Sequence, residues 1–450
     1  MKLLEHSRRV GEPTQIHILS FEGPDDYSRA GGLATRVTGL AAALSEAGFE
    51  THLWYIGDSH LRGHETWRQV HLHRWCQWIS RHHPGGVYDG EEGKLWNFAS
   101  SLPPFLMQEI LVPYLQEYGR HEVILAEEWQ TVDAVLHLDW LLRSAGFRHR
   151  VTIFWNANNT CGFDRIDWAR LAHAAVITTA SRYMRHRMWS LGVDPMVIPN
   201  GLTATDFQSP DREALAVFRQ YVGDRVVLAK VARWDPDKRW LLAIDTVGDL
   251  KRHGWRPLLI ARGGVETHGA EVLARAAAAG LRVIERPLAQ PGARGLLESL
   301  SELDGADVVS LRSHLAPEAR RVLFRGAAAV LANSGREPFG LVGLEAMAAE
   351  GLVCTGGTGE DYAVAGWNAL VLQSQDPREF VSCFHHLQRH PAEERAVRRR
   401  GRSTAQQYAW NEIIRRNFAP CLQFASGSDF LRLPEYLPQR SMAPRTAQAV

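Results

Sequence analysis

Short apolar runs alternate with helical patterns along this chain, and they do so in two successive series. The first series takes in residues 16–21 (IHILSF), 51–56, 123–126, 150–154 and 174–179. The second takes in 226–231, 257–261, 282–285, 307–311, 327–331 and 352–355. Runs this short and this continuously apolar suit strands covered on both faces. Between them apolar residues recur at helical spacing, as in Leu33, Val37, Leu40, Ala41 and Leu44 ahead of Gly48. Each strand is then followed by a crossover helix, and the next strand lies parallel to it. The expected fold class is α/β, with parallel sheets in Rossmann-like domains.

At 450 residues the chain exceeds one ordinary core. The turn signal Pro199-Asn200-Gly201 separates the two series. We expect a first domain over 1–200, a second over 201–390, further helices over 391–425 and a loosely ordered tail over 426–450. Residues 58–119 break the alternation; they are rich in His and Trp and contain PGGVYDGEEG at 84–93. Two readings of this insertion stay open: a packed loop, or a wall for a sugar acceptor built on Tyr88, Trp96 and Phe98.

Lys plus Arg number 51 and Asp plus Glu 50, so the net charge of +1 offers no global field for nucleic acid. Any anion site must be local. The five cysteines (Cys76, Cys161, Cys354, Cys383, Cys421) lack CxxC spacing, which points to reduced thiols and a cytoplasmic protein. The residues at 1–13 lack the apolar core of a signal peptide, and no apolar run reaches membrane-spanning length. Peripheral contact with a membrane is left open. His71 with His73, and His82 with His83, come without a third ligand, so we expect no metal.

The candidate chemistry gathers at strand ends. Residues 335–345 (GREPFGLVGLE) join the apolar run at 327–331 to a helical pattern, with a glycine turn between two carboxylates. A helix opening at Leu341 presents free N–H groups to an anion, and Glu337 and Glu345 present acceptor oxygens to sugar or ribose hydroxyls. Arg233 and Lys238 flank the turn after the first strand of the second series, where a diphosphate needs fixed positive charge. The turn at 355–359 (TGGTG) brings further backbone within reach of phosphate. After the first strand, Gly31 and Gly32 either form a tight turn or let backbone approach a ligand, with Arg29 supplying charge. No GxGxxG is present there, which argues against a nicotinamide or flavin cofactor. Glu128 and the pair Trp155-Asn156 follow later strands of the first series.

In ordered co-occurrence these segments resemble the retaining glycosyltransferases of the glycogen and starch synthase kind and the related large family four. The match rests on REPFGLVGLE, which resembles that family's pair of glutamates with seven residues between them, with RAGGL, VIPNGL, VARWDPDK and YAWNEII in the expected order. The resemblance implies a GT-B architecture of two facing Rossmann-like domains, with C-terminal helices crossing back to the first. It implies ribose binding by Glu345, sugar-hydroxyl binding by Glu337, and diphosphate binding by Arg233 and Lys238. Backbone at Phe339, Gly340 and Leu341, and at Gly356, Gly357 and Thr358, would line the sugar and phosphates, with Gly31, Gly32 and Arg29 on the opposite domain. Family members often carry a histidine where this chain reads Trp155-Asn156. EEWQT resembles the DWQ stretch of glycogen synthases, so Glu128, Trp155 and Asn156 are acceptor-side candidates.

The implied reaction moves a sugar from a nucleotide diphosphate to an acceptor hydroxyl with retained anomeric configuration, without a metal or other cofactor. The partners are a nucleotide sugar and a carbohydrate or other hydroxyl acceptor. A nucleotide-sugar epimerase and a non-catalytic nucleotide-sugar binder are the alternatives.

Overall fold

The computed structural model of the chain describes residues 14–303 and 305–426. The expected tail over 426–450 lies, from 427 onward, outside the described residues. The chain divides into two compact units. One takes in the chain up to Thr179, Met188–Ile198 and the segment from Asn411; the other takes in Ala180–Arg187 and Pro199–Trp410.

The first unit holds β1 (Gln15–Leu19), β2 (Glu50–Ile56), β3 (His64–Trp67), β4 (Val70–Trp75), β5 (Glu122–Glu127), β6 (Val151–Ala157), β7 (Val176–Thr179) and β8 (Met196–Val197). They form one sheet in the order β3-β4-β2-β1-β5-β6-β7-β8. All neighbours pair in parallel except β3 with β4, which form an antiparallel edge. The central register aligns Ile16 with Thr51 on one side and with Val123 on the other. Ile16, Ile18, Val123 and Ile124 are fully buried, as a sheet covered on both faces requires. From the C-terminal segment, Phe418 packs its ring against Phe49 and Phe154 of this unit.

The insertion at 58–119 is more regular than its composition suggests. It folds into the β3–β4 edge and the helices Gln77–Ser80, Glu91–Phe105, Leu106–Leu111 and Val112–Tyr118. Buried Lys94 orders it by donating to the carbonyls of Gly86, Val87 and Asp89 and to the Tyr27 hydroxyl. Two prolines inside the helix Glu91–Phe105 hide its periodicity from a sequence reading.

The second unit holds β9 (Val226–Val231), β10 (Pro257–Arg262), β11 (Val283–Arg286), β12 (Val308–Leu311), β13 (Ala329–Ala332), β14 (Val353–Thr355) and β15 (Leu370–Val371). The order is β11-β12-β10-β9-β13-β14-β15, parallel throughout. Alternate residues of β9 feed two cores. Val227 and Ala229 join Phe218, Leu323 and Met347, while Val226 and Leu228 join Trp240, Ile244 and Phe384. That division is the period-two geometry of a strand between two helical layers.

Candidate functional site

In the second sheet β9 lies between β10 and β13, so the winding of the chain reverses between β9 and β13. Loops leaving the carboxyl ends of strands at such a reversal part to opposite faces and leave a crevice. The loops at 232–239 and 333–340 flank it.

Lys238 ends the single turn Pro236–Lys238, which Asp235 caps by accepting from the Asp237 amide at 2.8 Å. The Lys238 ammonium donates to Glu337 Oε2 at 2.7 Å, with the two side chains 20% and 18% exposed. Backbone ties the same loops, since Gly335 N donates to Asp237 O at 2.7 Å. Arg233 is exposed on this loop, and its carbonyl accepts from Trp240 Nε1 at 2.7 Å. Arg239, which the sequence reading passed over, adopts φ 52° and leaves a buried Nη1 without a hydrogen-bond partner. Its signal was present as the third cation of RWDPDKR.

Gly340 adopts φ 84° and caps the helix Leu341–Ala348. A side chain there would meet Glu360 Cγ at 2.8 Å and Tyr362 Oη at 2.9 Å, so glycine is required twice over. Phe339 is only 3% exposed and packs its ring near Tyr362 and Tyr408. Glu345 lies in the helix with one oxygen 3.5 Å from Arg320 Nη2 and the other, Oε2, buried and unpartnered. Burial raises its pKa, and Arg320 opposes the shift.

After β14, Gly356 passes so close to the preceding loop that a Cβ would stand 2.2 Å from Ser334 O, whereas Gly357 is exposed with nothing nearer than 3.8 Å. Thr358 Oγ1 accepts from Glu337 N at 2.8 Å, and Thr358 N donates to Glu360 Oε2 at 3.2 Å. Glu360 was absent from the sequence reading. Desolvation, then the nearby Glu337, pushes its pKa up to about 7. Buried Lys230 on β9 is pulled down to about 7 by desolvation while donating to Leu331 O at 3.0 Å and Asn333 Oδ1 at 2.9 Å.

In the first sheet β1 lies between β2 and β5, so the reversal falls between β1 and β5. The glycine turn follows β1. Its amides already hold an anion from the chain itself: Glu22 Oε2 accepts from Ala30 N at 3.2 Å, Gly31 N at 2.9 Å and Ala34 N at 3.1 Å. Tyr88 donates to Glu22 Oε1 at 2.7 Å. Gly31 is extended, at φ −170°, and a Cβ on Gly31 or Gly32 would meet nothing within 4 Å. The turn therefore does not itself demand glycine at either position. Arg29 is exposed and donates to Pro24 O at 2.7 Å.

Glu128 follows β5 at φ 68°, a conformation that costs a non-glycine residue about 1 kcal/mol or more and concentrates at functional sites. It is 3% exposed and accepts from Asn158 N at 2.6 Å. Desolvation, with a smaller contribution from Glu127, raises its pKa to about 8 against the hydrogen bonds from Asn158.

Trp155 and Asn156, the expected acceptor-side pair, are both buried. Trp155 is 0% exposed and donates to Glu128 O at 3.0 Å; Asn156 is 4% exposed and donates to Glu127 Oε2 at 2.9 Å. Their hydrogen bonds support Glu127 and Glu128, and Asn156 lines a small cavity with Arg36, Glu127 and Thr178. The aromatic wall likewise divides, with Phe98 in the core, Trp96 69% exposed and Tyr88 bound to Glu22.

No family model matches the chain, and no curated protein matches it in sequence. Solved structures do. Sucrose-phosphate synthase from Thermosynechococcus elongatus aligns with a TM-score of 0.63 at 17% identity over 91% of this chain and 99% of that chain. Anabaena HepE in complex with UDP and glucose gives 0.60 at 14% identity over 91% and 100%. The catalytic domain of starch synthase IV from Arabidopsis thaliana, bound to ADP and acarbose, gives 0.62 at 14% identity over 91% and 100%. Likeness at this identity carries the fold. The chain has the α/β fold of the GT-B glycosyltransferases, with two parallel-strand sheets.

Proposed function

We propose that this chain is a retaining glycosyltransferase that moves a sugar from a nucleotide-diphosphate donor to an acceptor hydroxyl. The observation that carries the reading is the pair of glutamates at the β9/β13 reversal: Glu337 is held by Lys238 at 2.7 Å, and Glu345 keeps a buried oxygen unpartnered. An unsatisfied buried carboxylate oxygen suits a ribose hydroxyl, which donates a hydrogen bond. That UDP occupies the Anabaena structure and ADP the Arabidopsis one supports a nucleoside diphosphate as the donor's leaving group.

In the proposed step the bond between the anomeric carbon and the diphosphate oxygen breaks, and the electron pair leaves with the diphosphate. The acceptor oxygen bonds to that carbon on the same face and passes its proton to a phosphate oxygen. Negative charge grows on the diphosphate, and Lys238 and Arg233 stabilise it; a single preorganised donor supplies about 3 kcal/mol. Glu337 orients the sugar hydroxyls and is itself oriented by Lys238. Gly356, Gly357 and Thr358 line the phosphates, and Gly31 and Gly32 are the first unit's donor-binding candidates. Glu128 serves the acceptor side. The five cysteines are free thiols, which supports a cytoplasmic location, and no helix among the described residues is long and apolar enough to cross a membrane.

A screen of nucleotide sugars by thermal shift names the donor, since a ligand at 100 times its dissociation constant stabilises by about 2.7 kcal/mol. Nucleotide release is then followed with an acceptor panel. Binding without transfer or slow hydrolysis across the panel sinks the proposal and leaves a non-catalytic binder, a reading motivated by Asn156 where the family that the sequence resembles often carries a histidine. Epimerised sugar formed without acceptor identifies an epimerase.

A further inference from the structure

The first sheet carries a ladder of imidazoles. β1, β2 and β4 pair so that His17 faces His52 and His52 faces His71, with ring centroids 4.6 Å and 4.7 Å apart. Residues matched across a parallel sheet share a face, and so does Glu50, two positions before His52 on β2. Glu50 Oε1 lies 3.4 Å from His52 Nε2. One ligand atom from each of Glu50, His52 and His71 lies within 4.8 Å of the others.

His52 is 1% exposed, and its Nε2 has no hydrogen-bond partner. A buried nitrogen without a partner needs an explanation. Its other nitrogen is committed, because Nδ1 lies 3.0 Å from His73 Nε2 and His73 Nδ1 lies 2.7 Å from His64 Nδ1. Donation by His52 Nδ1–H to His73, and by His73 Nδ1–H to His64, satisfies both contacts. The His52 Nε2 lone pair is then free to ligate, backed by the kind of outer hydrogen bond that orients metal-bound histidines. Beside the ladder Glu122 is buried with both carboxylate oxygens unpartnered, one of them 3.8 Å from His17 Nε2.

We propose that Glu50, His52 and His71 bind one divalent transition-metal ion of the zinc type, with Glu122 as a neighbouring carboxylate that balances its charge. Two imidazoles and a carboxylate are donors zinc accepts at about 2.1 Å, leaving a position for water. Glu50 and His71 are partly exposed, so the ion has a route in and the side chains turn to close on it. The sequence spacing of His71 and His73 offered no third ligand; strand pairing instead sets His71 beside Glu50 and His52 of β2, with His73 holding the His52 ring. The carboxyl end of β2 at Ile56 is about 20 Å along the strand from Glu50. The ion therefore braces β4, which leads into the inserted helices, against β2, and takes no part in sugar transfer.

The test is calorimetric titration of the full chain, stripped with EDTA, against zinc(II). One equivalent is expected in the wild type, with a rise in Tm. His71→Ala and Glu50→Gln are expected to weaken binding about 100-fold or more while leaving the far-UV circular dichroism intact. Cobalt(II) in place of zinc should give a visible d–d absorption that both variants lose. The exposed group His386, His390 and Glu393 is the control, and His386→Ala should leave the equivalent in place. No zinc uptake by the wild type, undiminished affinity in both ladder variants, or loss of the equivalent in His386→Ala overturns the assignment.

Discussion

Lys238 and Glu337, 99 positions apart in the chain, meet at 2.7 Å across the loops that follow β9 and β13. In the proposed reaction Lys238 both orients that glutamate and faces growing charge on the diphosphate. Lys238→Ala is expected to lower kcat roughly 100-fold or more. Glu337→Ala should abolish turnover with only a modest loss of nucleoside diphosphate binding. Steady-state kinetics with calorimetry separates the two effects, and unchanged turnover in Glu337→Ala would remove it from the mechanism.

Gly31 and Gly356 make opposite predictions. Gly31 is extended with open space around its Cα, so Gly31→Ala should change unfolding free energy by less than about 0.5 kcal/mol while weakening donor binding. Gly356→Ala drives a Cβ to 2.2 Å from Ser334 O and should cost about 1–3 kcal/mol. Urea denaturation measures both. An Ala at 31 that leaves binding untouched would show that no ligand comes near the turn.

The raised pKa of Glu128 predicts a pH dependence of stability. Folded, it holds its proton to about pH 8, above its usual value of 4.5. A carboxyl that binds its proton more tightly when folded contributes stability that is complete below the unfolded pKa and declines as pH rises through the folded one. Between about pH 4.5 and 8 the wild type should therefore lose Tm relative to Glu128→Gln. Parallel Tm profiles for the two proteins would contradict that environment.

Glu127 is a saturated buried acid. It accepts from Arg36 Nε at 3.0 Å, Asn156 Nδ2 at 2.9 Å and Asn158 Nδ2 at 2.7 Å, and the Arg36–Glu127 pair is 3% and 2% exposed. Removing one partner of such a pair strands the other, so Glu127→Ala should destabilise by about 3–5 kcal/mol. Arg36→Ala should cost a similar amount, and the double variant less than the sum. Chemical denaturation of the three variants gives the coupling directly.

Much of the architecture was legible in the chain because it rests on local periodicity. The runs 226–231, 257–261 and 352–355 sit on β9, β10 and β14 with ends shifted by no more than a residue or so. Gly340 and Leu341 were legible for the same reason, since a left-handed cap and a helix start are decided within one turn. The β3–β4 edge and the helix Glu91–Phe105, interrupted by two prolines, were not legible, because neither carries a clean period.

What the chain alone determined is the succession of strands and helices, and with it the fold class, the carriage of Lys238 and Glu337 to loops after strands, and that of Glu345 to the helix that follows. Tertiary structure decided which of those groups are free. It set Glu22 into the amides of Gly31, buried Trp155 and Asn156 behind Glu128, raised Glu128 and Glu360 by desolvation, and aligned His17, His52 and His71 across three strands. The physical reason is range. Periodicity and capping act over a few residues, whereas burial, ion pairing and metal geometry depend on which distant strands become neighbours.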